Sequence, residues 1–130
     1  MNIAIVDDDF TAQTLIADYL EDEGYEVTKA YEPDDITATL PQFDVIIMDV
    51  MFEHDRTKGL KYIRDKAQQK IITPEKLVIF VSNFGREPEE IQNLLNEVDQ
   101  HIDFKWFDKS FDTVFFNTLL QNIQQHGFGN

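Results

Sequence analysis

Ile3-Ala4-Ile5-Val6-Asp7-Asp8-Asp9 opens the chain with a short apolar run that delivers three carboxylates to the point where backbone and water meet. Like-charged carboxylates a few ångströms apart either raise one another's pKa or recruit a positive counter-charge. Hard oxygen donors favour Mg²⁺ or Ca²⁺ over softer metals. The plainer explanation is an acidic cap on the following helix, because Asp in the first turn also suits the helix dipole. Residues farther along the chain decide whether this is one strand end among several or an isolated cap.

Strand and helix patterns alternate from end to end without a repeat or low-complexity tract, so a doubly wound α/β architecture with five parallel strands is expected. A first strand over 2–6 leads to a helix with Ala12, Leu15, Ile16, Tyr19 and Leu20 as its apolar positions, stopped by Gly24. A second strand over 25–31 passes through Pro33 to a short helix over 34–40. The third, Phe43-Asp44-Val45-Ile46-Ile47-Met48, is continuously apolar after its start, as a central strand covered on both faces is, and it ends in Asp49. A charged loop over 53–58 precedes a helix over 59–69 with Leu60 and Ile63 on one face. The fourth strand, 76–81, ends in Ser82-Asn83 and is followed by a helix carrying Ile91, Leu94, Leu95 and Val98. The fifth strand, 102–107, puts Ile102, Phe104 and Trp106 on one face, as an edge strand does. A last helix after Ser110 turns Phe116, Leu119, Leu120 and Ile123 inward. One domain over 1–126 with a frayed tail over 127–130 is expected.

With 130 residues and 42% hydrophobic composition, one buried core is expected. No apolar stretch is long enough to span a bilayer, no signal peptide is visible, and zero cysteines exclude disulfides and thiolate metal sites. A cytoplasmic location is the default these features suggest. Asp and Glu number 25 against 11 Lys and Arg, a formal charge of −14. Such a chain repels a polyanion, which argues against nucleic-acid contact.

Ligands in open parallel sheets bind outside the carboxyl ends of the strands, near the point where strand order reverses. Asp7-Asp8-Asp9 end the first strand, Asp49 the third, Ser82 the fourth and Lys109 the fifth. These types suit phosphoryl transfer. Asp49 is a carboxylate nucleophile, and Mg²⁺ held by Asp8 and, through water, by Asp7 cancels repulsion between two anions. Ser82 can donate to a phosphoryl oxygen, and Lys109 supplies a point charge for Asp49 before transfer and for the phosphoryl group afterwards. His54, His101 and His126 lack ligand spacing and are read as surface residues.

The segments IAIVDDDF, FDVIIMDVMF, KLVIFVSN and WFDKSF, in this order, resemble the receiver domain of bacterial two-component response regulators over essentially the whole chain. The resemblance implies a flavodoxin-like (βα)5 fold. It makes Asp7 and Asp8 the acidic metal pair, Asp49 the phosphoacceptor, Met51 a metal ligand through its backbone carbonyl, Ser82 the switch hydroxyl, Lys109 the invariant lysine and Trp106 the switch aromatic. It further implies Mg²⁺ as cofactor and a histidine kinase or phosphotransfer protein as donor. A downstream protein would read the surface of the helix carrying Ile91 to Val98, the fifth strand and the last helix. Met51 and Phe84 occupy the positions that flank the attacking water in the family; both are apolar, which implies a long-lived phosphoryl group.

This sequence departs from the family pattern in three places. The loop after Asp49 lacks the usual proline and Gly59 arrives late, so 53–58 is an insertion beside the site. Ser110 follows Lys109 where the family has a cis proline; a non-proline cis bond costs several kcal/mol, so a trans bond and a displaced Lys109 are expected. Asn83 replaces a small residue, and the segment from Ser82 to Lys109 is long. Two other functions fit parts of the pattern. Asp7-Asp8-Asp9-Phe10-Thr11 matches the DxDxT signature of haloacid dehalogenase-like phosphatases, with Asp7 as nucleophile. A pseudo-receiver that only docks partners would need no phosphorylation at all.

Overall fold

The computed structural model describes residues 1–129, with side chains through Gly127. Ten elements alternate as the apolar patterning requires: β1 (Asn2–Val6), α1 (Phe10–Asp22), β2 (Glu26–Ala30), a 3-10 segment (Pro33–Gln42), β3 (Val45–Asp49), α2 (Lys58–Gln68), β4 (Leu77–Ser82), α3 (Glu89–Asp99), β5 (Phe104–Asp108) and α4 (Thr113–Gly129). All strand pairs are parallel, in the order β2-β1-β3-β4-β5. The order reverses between β1 and β3, and this places the crevice at the ends that carry Asp7 and Asp49.

Successive strand residues point to opposite faces, so the sheet feeds two cores. Ala4, Val6, Ile46, Met48, Val78 and Phe80 pack under α2, α3 and the 3-10 segment, while Ile3, Ile5, Val45, Ile47, Ile79 and Val81 pack under α1 and α4. β1, β3 and β4 are sealed on both sides, which is why their sequences are continuous apolar runs rather than alternating ones. β5 lies at the sheet edge and begins two residues later than expected; Phe104 and Trp106, with Ile102 just before the strand, pack on the α3 side as expected.

Several helical details differ from the sequence expectation. The short helix expected over 34–40 is present as a 3-10 helix over 33–42. Pro41 has no N–H to give an α-helical carbonyl and its ring clashes with the preceding turn, so the segment tightens instead of propagating. In α1, Ala12, Ile16 and Leu20 are buried with Ala17, whereas Leu15 is exposed and Tyr19 half-buried. In α4, Phe115, Leu119 and Ile123 face the core; Phe116 and Leu120 are half-buried at the flank, where Phe116 meets Tyr19 with ring centroids 4.8 Å apart. The helix therefore starts about one residue off the expected phase. α1 ends at Gly24, whose φ of +94° lets Tyr25 N–H return to the Leu20 carbonyl at 3.1 Å. Of the expected tail, the backbone through Gly129 continues α4 and Asn130 lies outside the described residues.

Candidate functional site

The three leading acids separate into three roles. Asp9 is the N-cap of α1, its Oδ1 accepting from the amides of Thr11 at 2.9 Å and Ala12 at 3.3 Å, so the plain capping explanation holds for this residue. Asp7 is fully buried at the end of β1, with Oδ1 accepting from the Asp9 amide at 2.9 Å. Asp8 is exposed and reaches across the crevice, where its Oδ2 accepts from the Glu53 amide at 2.9 Å.

Asp49 closes β3 and is 6% exposed. Gly59, at the start of α2, permits its placement: a Cβ there would collide with the Asp49 carbonyl oxygen, so only glycine lets the helix approach this strand end. The Gly59 amide is bound to the Val50 carbonyl at 3.0 Å. Lys109 enters from the end of β5, its amide bound to the Ser82 carbonyl at 2.8 Å. Its ammonium lies 2.8 Å from Asp7 Oδ2 and 3.2 Å from Asp49 Oδ1, with all three side chains buried. No cis peptide bond occurs among the described residues, so the Lys109–Ser110 bond is trans. Across this trans bond Lys109 reaches both carboxylates, its backbone held by the β4 hydrogen bond.

These three groups set the electrostatics. Burial is the larger cause, and the Asp7 charge the next, of a rise in the Asp49 pKa from 3.8 to about 7, against the opposing attraction of Lys109. Burial pulls the Lys109 ammonium down, but its bond to Asp7 and the charges of Asp49 and Asp7 outweigh this and the net displacement is upward. One cation thus serves two buried carboxylates.

Ligand oxygens of Asp7, Asp8 and Asp49 all lie within 4.8 Å of one another. Asp7 Oδ2 has the Lys109 ammonium at 2.8 Å. Three carboxylates gathered around that one ammonium form an all-oxygen donor set that fits a hard divalent cation. Asp8 and Asp49 line a cavity of about 190 Å³ with Asp9, Lys109, Met51, Asn83 and Phe84, while Asp7 lies buried outside its lining.

Ser82 and Trp106 stand apart from this cluster. The Ser82 hydroxyl donates to the Phe84 carbonyl at 2.8 Å and accepts from the Phe84 amide at 3.1 Å, and the residue lines a neighbouring cavity with Asn83, Lys109 and Ser110. Trp106 is half-buried against Phe80, with ring centroids 6.2 Å apart. Of the histidines, His54 and His101 are exposed and His126 half-buried. Sequence reading missed Gln13. It is fully buried, and its carboxamide donates to the Ala30 carbonyl at 2.7 Å and the Asp7 carbonyl at 3.3 Å, fastening the ends of β1 and β2. A polar residue inside an apolar helical stripe was its one visible signal.

The family profile described as the response regulator receiver domain matches residues 3–112. Among solved structures, the chain is similar to a CheY-like receiver domain protein from Methanospirillum hungatei, with TM-score 0.73 and 23% identity over 95% of this chain and 90% of that one. It is similar to CheY4 from Vibrio cholerae, with TM-score 0.72 and 24% identity over 95% and 96% of the two chains. NtrX from Brucella abortus aligns at TM-score 0.72 and 21% identity; 97% of this chain is covered, but only 27% of that one. No curated protein matches. With its profile match spanning the sheet and all of the strand ends just described, the chain belongs to the response regulator receiver domain family.

Proposed function

We propose that this domain is a phosphoacceptor switch in a two-component or phosphorelay system, taking a phosphoryl group on Asp49 from a histidine kinase or phosphotransfer protein. The observation that carries the reading is the single buried ammonium of Lys109 shared by Asp7 and Asp49. Structural framework alone does not call for two buried acids against one base, since desolvating charges is expensive. A carboxylate oxygen of Asp49 attacks phosphorus in line, and the donor's bond to phosphorus breaks with its electron pair. Asp7, Asp8 and Asp49, with the Met51 backbone carbonyl, would hold Mg²⁺. When bound, that ion neutralises charge between carboxylate and phosphoryl group. Lys109 pairs with Asp49 before transfer and with a phosphoryl oxygen after it. Ser82 then donates its hydroxyl to the phosphoryl group, and Trp106 repacks. The resulting change at the surface of α3, β5 and α4 is what a downstream protein would read.

The phosphatase alternative requires Asp7 as nucleophile. Asp7 is 0% exposed and its Oδ2 is paired with Lys109, so it is not presented to a substrate. The test is intact mass after incubation with Mg²⁺ and acetyl phosphate. One added phosphoryl group is expected in the wild type and none in Asp49→Ala, with Asp7→Ala impaired. An adduct that persists in Asp49→Ala overturns the assignment, and no adduct on folded wild type points to a partner-docking pseudo-receiver.

A further inference from the structure

The insertion over 53–58 is a built turn with two working ends. Phe52, fully buried, anchors it and pairs with Asp55, the amide of each bound to the carbonyl of the other at 3.0 and 2.8 Å. Asp55 Oδ1 accepts from both the amide and the hydroxyl of buried Thr57. Lys58 then clamps onto Glu32 at 2.6 Å. At one end, Glu53 takes a left-handed φ of +51° and its amide holds Asp8. At the other, the Arg56 guanidinium lies over the Phe84 ring, 5.5 Å from its centroid. Phe84 is the residue whose carbonyl and amide take up the Ser82 hydroxyl.

We infer that this turn is a strap across the carboxylate crevice and that Arg56 is a positioning residue: by holding Phe84, it keeps the Ser82 hydroxyl turned onto the Phe84 backbone. The donor proton of Ser82 cannot serve Phe84 and a phosphoryl oxygen at once. The Arg56–Phe84 contact therefore favours the unphosphorylated arrangement. By linkage, loosening it shifts the balance toward the phosphorylated one by the same factor. An exposed cation–π contact corresponds to a roughly two- to five-fold effect. This consequence for phosphorylation rests on Asp49 being the phosphoacceptor; the clasp itself does not.

Amide hydrogen exchange at Phe84, followed by NMR in the unphosphorylated protein, tests the clasp. Arg56→Ala and Phe84→Leu should each exchange roughly two- to five-fold faster than wild type, and the double variant no faster than either single one. Arg56→Lys, which keeps a cation, should recover part of the protection. Phe84→Leu, which retains the Arg56 charge, should also reach a given phosphorylated fraction at roughly two- to five-fold less acetyl phosphate. Wild-type protection in Arg56→Ala, or additive effects in the double variant, overturns the inference. So does faster exchange with an unchanged phosphorylated fraction. If wild type takes no phosphoryl group, the phosphoacceptor reading fails by itself, and the exchange results still decide whether Arg56 holds the Ser82 turn.

Discussion

At the scale of single residues, Asp49 carries the most consequential property of the molecule. Its pKa in the folded protein, about 7, lies above its ordinary value of 3.8, because burial and Asp7 disfavour the charge. Stability tied to this proton is therefore fully present below about pH 4 and lost as pH rises through about 7. In metal-free buffer, Asp49→Asn should be more stable than wild type by roughly 1–4 kcal/mol at pH 8, and the difference should close toward pH 4. Urea denaturation across that range measures it, and a gap independent of pH contradicts the account. Met51 and Phe84 line the same small cavity and offer no group to orient an attacking water. A phosphoryl group on Asp49 should accordingly last minutes or longer at neutral pH, with Met51→Asn shortening it. Decay of the mass adduct within seconds in the wild type would contradict this. Asp7, Asp8, Asp49 and Lys109 were all legible as strand-end residues, because a polar residue directly after an apolar run is visible without a structure. Gln13 was not, since its partners are backbone carbonyls whose position depends on how α1 packs over β1 and β2.

Among the elements, the junction of β3 and α2 is the least forgiving. Gly59 lets α2 begin against the Asp49 carbonyl, and any Cβ requires the helix or the strand end to move. Gly59→Ala should cost about 1–3 kcal/mol despite alanine's better helix propensity, and, on the proposed function, should reduce the Asp49 adduct by displacing Asp49. Denaturation midpoints and intact mass check both parts, and wild-type values in each would show the junction to be slack. The existence and order of the strands were legible from continuous apolar runs, with bounds shifted by one or two residues. Helix phase was less so. α4 buries Phe115 and leaves Phe116 on its flank, where three neighbouring aromatic rings receive it: Tyr19, Phe111 and Phe115. In a helix start this rich in phenylalanine, adjacent residues compete for the core and periodicity alone does not choose between them.

For the molecule as a whole, the formal charge of −14 and the three clustered site acids act in the same direction, raising the free energy of the compact state. Mg²⁺ that binds only the folded site should stabilise it by about 2.7 kcal/mol at a hundred-fold excess over its dissociation constant. Sodium chloride at equal ionic strength reports the general screening of the net charge. The thermal midpoint should rise more with Mg²⁺ than with matched salt, and Asp8→Ala should remove the difference. Equal responses to the two salts would argue against a specific cation site. No helix among the described residues is long and apolar enough to cross a membrane.

By itself, the sequence determined the α/β architecture, the crevice at the strand ends and the identity of the acids and the lysine that meet there, because apolar periodicity reports burial and strand ends report where the chain returns to water. Tertiary structure alone decided how the three leading acids divide: Asp9 caps α1, Asp8 binds the Glu53 amide, and only Asp7 shares Lys109 with Asp49. It also decided that Lys109 reaches both carboxylates across a trans peptide, and that the insertion after Asp49 is fastened to both sides of the crevice. Those outcomes depend on directions and distances between segments remote in the chain, which neighbouring residues in a sequence do not record.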